Sequence, residues 1–151
     1  MSEPNRFQDQ NLRLSDFQKE VWVVCPKCAK KAIAIVNFET QIARLFCDTC
    51  GYIKEKSTNS SAFGQTFTIK IAAHSYFNAI LWLQFPFKQD VFFAYSMLHL
   101  NYLEKYISAT IREHKDRSHF TLIEKLPKFY HEAKNREALL KIIAKLKAKD
   151  S

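Results

Sequence analysis

The sequence predicts an α+β protein: an N-terminal antiparallel β-sheet, followed by a small β-hairpin and C-terminal helices. Three observations predict it. The four cysteines of this 151-residue chain fall into two Cys-x-x-Cys pairs, Cys25-Pro26-Lys27-Cys28 and Cys47-Asp48-Thr49-Cys50, with eighteen residues between them. Runs rich in β-branched and aromatic residues flank each pair, as strands do. Beyond residue 96 the apolar residues return at three- and four-residue steps, the period of a helix.

Two Cys-x-x-Cys turns at this spacing offer four sulfurs to a single ion, and zinc is the metal such a set expects. Four thiolates close a tetrahedral shell and leave no position for a substrate, so one structural Zn2+ on Cys25, Cys28, Cys47 and Cys50 is the expectation. Gly51 follows the second pair, where a knuckle turn calls for positive φ; Ala29 stands at the matching place after the first and suits it less well. Two disulfides would need an oxidising compartment, and the opening residues Met1-Ser2-Glu3-Pro4-Asn5-Arg6 carry no apolar signal core. A thioredoxin-like redox pair would need one Cys-x-x-Cys beside a βαβ pattern, which the sequence does not show.

Composition bounds the rest. Hydrophobic residues make up 47% of the chain, with 13 Phe, 6 Tyr and 2 Trp, which calls for a packed core rather than disorder. No apolar run reaches the roughly 18 residues of a membrane span, so the expectation is a soluble cytoplasmic protein with no membrane partner. A formal charge of +8 favours acidic partners, nucleic acid first among them.

Taken in order, residues 1–19 form a polar arm, of which Leu14 and Phe17 are expected to dock on the body and most of the remainder to be mobile. Residues 20–57 are a four-cysteine module in which Val21-Trp22-Val23-Val24 and Gln41-Ile42-Ala43-Arg44-Leu45-Phe46 enter the two knuckles. Ala32-Ile33-Ala34-Ile35-Val36 and Tyr52-Ile53-Lys54-Glu55-Lys56 leave them. Residues 58–65 read as a linker or loop, because Ser57-Thr58-Asn59-Ser60-Ser61 is polar and of low complexity. Residues 66–151 form an α+β region. Within it, Thr66-Phe67-Thr68-Ile69-Lys70-Ile71 suggests a strand, and the apolar runs 80–85 and 91–95, joined by Pro86-Phe87-Lys88-Gln89-Asp90, a hairpin with a longer loop. Ser96 is the expected N-cap of a helix over 96–114 carrying Leu100, Leu103, Ile107 and Ile111 on one stripe. A short helix follows near Leu122, Ile123 and Leu126, and a last one starts near Asn135 with Leu139, Ile142, Ile143 and Leu146 on one face.

By the residues around its knuckles, the segment 20–57 resembles the zinc ribbons of transcription factor IIB type. That resemblance implies a fold, and a role in binding DNA, RNA or protein or in bracing a neighbouring domain. The whole chain also resembles a family of small bacterial zinc-ribbon proteins without a settled activity. The residues that carry this likeness are Trp82-Leu83-Gln84, Pro86, Ala94-Tyr95, His99-Leu100, Leu103-Glu104, Leu126-Pro127-Lys128 and Ala133-Lys134-Asn135-Arg136. Where those relatives have two adjacent cysteines after the proline, this chain has Phe87 and Lys88, so no thiol or metal role is expected of that loop.

Catalytic motifs are missing from the sequence. His74, His99, His114, His119 and His131 are dispersed, there is no Gly-x-Ser-x-Gly, and Gly51 and Gly64 are the only glycines. His99, near Tyr95, Tyr102 and Glu104, is expected to be a hydrogen-bonded structural imidazole. The chain is therefore expected not to be an enzyme and to have no small-molecule substrate. Binding has more support: from residue 101 onward twelve Lys or Arg stand against seven Asp or Glu. Lys134, Lys141, Lys145 and Lys149 fall on a helical stripe that could follow phosphates, and Lys27, Lys30 and Lys31 add a basic group at the ribbon. Those ribbon lysines also offset the charge of −2 on a four-thiolate zinc. Phe46, Tyr52, Phe63 and Phe67 are the aromatics placed to stack on unpaired bases. The expected function is nucleic-acid binding, mainly through phosphate. The alternative is an adaptor whose ribbon or aromatic hairpin docks on a larger complex, its charge meeting an acidic protein partner.

Overall fold

The structure is a computed structural model describing residues 6–8, 14–108, 111–113, 128–130 and 132–149. Its elements are β1 (Arg6–Gln8), α1 (Leu14–Phe17), β2 (Glu20–Val24), β3 (Lys31–Asn37), β4 (Ile42–Phe46), β5 (Ile53–Ser57), β6 (Asn59–Ala62), β7 (Gln65–Thr68), β8 (Leu83–Phe87), β9 (Asp90–Ala94), α2 (Met97–Ser108), β10 (Ile111–Glu113) and α3 (Arg136–Lys149). Short 3₁₀ turns lie at Ala73–Phe77, Lys128–Tyr130 and Ala133–Asn135. The chain is α+β, with an antiparallel sheet near the N-terminus, further small hairpins and a C-terminal helix.

Strands β2 to β5 form one antiparallel sheet in sequence order, both knuckles falling at the same end. Alternation sets its two faces. Val21, Val23, Ala32, Ala34, Val36, Ala43 and Leu45 point inward and are buried, and several are alanines. A face of such small side chains lets backbone come close, and the 3₁₀ turn with Ala73 packs there against β2, β3 and β4. The amide of Ala73 donates to the Gln18 carbonyl at 2.8 Å.

The second half is bonded to the ribbon through backbone. Trp22 N donates to Tyr95 O (2.6 Å), Val24 N to Ile80 O (2.8 Å) and Trp82 N to Trp22 O (3.0 Å), with a bridge between Val23 and Leu81. The free edge of β2 is thus covered, and buried residues of both halves belong to one cluster, from Val21 and Leu45 to Leu83, Leu103 and Ile143. Helices α2 and α3 pack on each other and on the β8–β9 hairpin, and Lys147 pairs with Glu104 at 2.5 Å between them. The faces expected of these helices are the buried ones: Leu100, Leu103 and Ile107 on α2, and Leu139, Ile142, Ile143 and Leu146 on α3.

Several local expectations change. Residues 59–62, expected in a linker or loop, form β6 paired with β7, because cross-strand bonds between polar side chains suffice to stitch a hairpin: Thr68 Oγ1 to Asn59 Oδ1 at 3.0 Å, and Ser61 Oγ with Thr66 Oγ1 at 3.5 Å. The second hairpin has a shorter loop than expected. Pro86 and Phe87 stay in β8, and Lys88, at φ 55°, turns the chain. Ser96 does cap α2, its Oγ accepting the His99 amide at 3.4 Å, but that helix ends at Ser108 and Ile111 belongs to β10. Asn135 is buried and not used as a simple N-cap: its amide group donates to Phe129 O and Glu132 Oε1, and its Oδ1 accepts from Lys88. In the arm, residues 6–8 pair in parallel with β10, and Phe17 is buried on α2. The helix expected near Leu122 to Leu126 lies outside the described residues.

Candidate metal centre

Each Cys-x-x-Cys pair sits in the turn between two strands, and the two turns have the same backbone plan. In the first, Cys25 N donates to Lys30 O (2.7 Å) and Ala29 N to Cys25 O (3.0 Å). In the second, Cys47 N donates to Tyr52 O and Gly51 N to Cys47 O, both at 2.9 Å. The residue after each pair takes positive φ, 64° at Ala29 and 79° at Gly51. Gly51 fits this without strain, and Ala29 adopts it despite its Cβ.

The four thiols are free and their sulfurs all lie within 4.8 Å of one another. Cys25 Sγ is 3.6 Å from Cys50 Sγ, and Cys28 Sγ 3.6 Å from Cys47 Sγ. A tetrahedral ion with metal–sulfur bonds of about 2.3 Å requires sulfur separations of about 3.8 Å. The residues fit. Backbone amides already serve the sulfurs, Lys27 N and Cys28 N donating to Cys25 Sγ at 3.4 and 3.5 Å.

The thiol electrostatics point the same way. Burial pushes Cys25 up, but the amides of Cys28 and Lys27 and the neighbouring thiols outweigh it and bring it down to about 7. At Cys28 the Lys30 amide pulls down, yet burial and the thiols of Cys47, Cys50 and Cys25 override it and push it up to about 12. Crowded thiols resist sharing several negative charges, and a bound cation removes that conflict, as metal binding with proton release describes. The described structure is a small antiparallel sheet carrying four cysteines that could hold a metal ion, consistent with a zinc ribbon. No protein-family model matches the chain, and no curated protein or solved structure matches it significantly.

The knuckle backbone makes a prediction that does not involve the ligands. Ala29→Gly is expected to raise stability by about 0.5 kcal/mol, the left-handed strain of about 1 to 2 kcal/mol relieved being partly offset by a more flexible unfolded chain. Gly51→Ala is expected to cost about 1 kcal/mol from backbone conformation alone, since an added Cβ would meet nothing within 4 Å. Thermal melts of the metal-loaded variants check both, and equal melting temperatures for the two would contradict them.

The expected basic residues divide into two groups. Lys27 and Lys30 are exposed beside the first knuckle and form no ion pair with a described residue. Lys31 lies over the Trp22 ring, its Nζ 3.9 Å from the centroid. The C-terminal lysines are engaged. Lys134 faces Glu132 at 3.8 Å and Lys141 faces Glu137 at 3.6 Å. Lys145 lies over Phe85 at 5.1 Å, and Lys149 donates to Trp82 O at 2.7 Å while covering that ring at 4.2 Å. Lys54 and Lys56, not singled out from the sequence, stand exposed on β5, the open edge of the sheet. Their alternation with Ile53 and Glu55 was the available signal.

His99 is 1% exposed and neutral. Its Nδ1 accepts the Tyr95 amide at 2.9 Å, and its ring is stacked between Phe17 (4.6 Å) and Tyr95 (5.3 Å). This is a structural imidazole. Of the other histidines only His74 is described, and burial lowers its pKa too; His114, His119 and His131 lie outside the described residues. Among the described residues no helix is long and apolar enough to cross a membrane.

Proposed function

We propose that the chain is a non-enzymatic zinc-ribbon protein in which Cys25, Cys28, Cys47 and Cys50 hold one structural Zn2+, and which binds nucleic acid mainly through phosphate. The observation carrying this reading is the pair Lys27 and Lys30, exposed at the first knuckle with no carboxylate partner among the described residues, in a chain of net charge +8. Unpaired surface lysines release counterions from phosphates without first giving up a protein partner. Lys149 is held on Trp82, while Lys134 and Lys141 on the C-terminal stripe are largely exposed and add to the contacts available to phosphate.

A salt series on labelled single-stranded DNA, duplex DNA and RNA tests it. Wild-type protein is expected to bind with a steep log–log slope, and Lys27→Gln with Lys30→Gln to flatten that slope by about two counterions. Salt-independent or absent binding near physiological salt would refute it. The adaptor reading has one observation of its own: β5 is an exposed edge whose backbone can accept an added strand, with Ile53 64% exposed upon it.

A further inference from the structure

The β6–β7 hairpin carries a feature that neither the metal centre nor the basic knuckle uses. Its two-residue turn places Phe63 at φ 54° and Gly64 at φ 77°, with Ala62 and Gln65 paired below, the signature of a type I′ turn. Such a turn favours Asn-Gly, and a bulky residue in the left-handed region at its first position is strained. Phe63 is nevertheless there, with a relative exposure of 104%. Folding gains nothing from that ring, since it is not buried and its backbone costs energy.

Along the chain, the tip is flanked by polar residues, with Phe67, Ile69 and Ile71 the exposed apolar side chains of the strand that follows and its exit. The tip's nearest neighbours in the chain are Ser61, Ala62, Gly64, Gln65 and Thr66, and the second ring of the hairpin, Phe67, is half-exposed on the strand behind. No carboxylate occurs between Glu55 and Asp90, and Glu55 is itself paired with Arg44. Lys54, Lys56 and Lys70 are exposed on the segments that lead into and out of the hairpin. The stem is held firmly. Thr58 N donates to Gln41 O (3.0 Å), Ile69 N to Thr58 O (2.8 Å) and Asn59 Nδ2 to Gln41 Oε1 (2.7 Å), and the Tyr76 hydroxyl donates to Ile69 O. An exposed ring on a segment that carries lysines and no carboxylate suits a nucleobase, whose face it covers while the lysines meet the phosphates.

We infer that the β6–β7 hairpin is a base-stacking element for single-stranded nucleic acid, with Phe63 as the stacking ring and Phe67 as a second platform. This rests on the nucleic-acid reading above and adds a contact to the bases, which the knuckle lysines do not supply. The strain at Phe63 makes the test sharp, because the variant that should bind worse should fold better. Phe63→Asn places the residue preferred by a type I′ turn, and Phe63→Leu keeps the apolar bulk and loses the aromatic face.

The probes are a single-stranded DNA oligomer containing 2-aminopurine and a duplex of the same sequence, with zinc content and melting temperature measured on each preparation. Both variants are expected to lose about tenfold in affinity for the single strand and to lose the 2-aminopurine fluorescence change, while the salt slope and duplex affinity stay as in wild type. Phe63→Asn is expected to melt at or above the wild-type temperature. Unchanged single-strand affinity and fluorescence response, with a normal salt slope, would overturn the stacking role and leave the phosphate reading intact. Equal losses on single strand and duplex would overturn it as well. Wild-type protein with no salt-dependent binding to either probe would remove both readings together.

Discussion

Cys25→Ser is expected to abolish metal binding and to unfold the second half of the protein along with the ribbon sheet. Metal binding in closed four-thiolate sites contributes apparent free energies of about 10 to 16 kcal/mol, as large as the whole stability of a typical domain. Losing one ligand therefore exceeds what the remaining contacts can supply. The loss spreads because the inward face of the sheet, with Val21, Val23 and Leu45, is continuous with the core of Leu83, Leu103 and Ile143. Trp22 joins the two halves through both its backbone N–H and its C=O. The check is a chelator titration followed by far-ultraviolet circular dichroism, with released metal counted against protein. One ion per chain and a single cooperative loss of helix and strand signal are expected. Retention of the helical signal after metal release would show that the second half stands alone, and a Cys25→Ser protein keeping both its metal and its melting behaviour would refute the site itself.

The second large effect is acid sensitivity centred on His99. Burial lowers its pKa from 6.5 to about 3, and protonating Nδ1 would also break the hydrogen bond from the Tyr95 amide. The unfolded chain therefore binds a proton below pH 6.5 that the folded chain refuses. Stability from this residue is fully present above about pH 6.5 and falls as pH drops towards 3, by about 1.4 kcal/mol for each pH unit, on the order of 5 kcal/mol in all. His74, whose pKa is lowered by burial as well, adds a contribution of the same sign.

Denaturant melts between pH 7.5 and 5.5, with bound metal verified at each pH, isolate the histidines from protonation of the thiolates. His99→Asn retains an acceptor for the Tyr95 amide without a titrating ring. It is expected to be less stable at pH 7.5, because stacking with Phe17 and Tyr95 is lost, and to show a flatter dependence on pH. A slope equal to that of wild type would assign the acid sensitivity elsewhere.

The four-cysteine cluster was legible in the sequence because its information is local. Two Cys-x-x-Cys turns preset two sulfurs each, β-branched alternation on both sides sets strands, and Gly51 marks the positive φ that the turn requires. The helical faces were legible for the same reason, since a period of 3.6 is written along one segment. Ser96 as a cap and His99 as a structural imidazole also follow from short-range chemistry.

What the sequence left open depends on contacts between distant segments. The polar run at residues 57–61 has low strand propensity, yet Asn59 and Ser61 find Thr68 and Thr66 across a hairpin and Gln41 beneath it. Asn135 has the residue type of an N-cap, but burial beside Phe129 and Lys88 gives its amide better partners. Lys149 sits on a basic stripe in a helical wheel, while in the fold it closes on the Trp82 carbonyl. Alternation and spacing, as local properties of the chain, thus determined the four-sulfur cluster, its sheet and the apolar helix faces. Tertiary structure alone decided that the four-stranded sheet and the helices share one core, which lysines are paired among the described residues, and that Phe63 stands in water, because each of these depends on which segments meet in space.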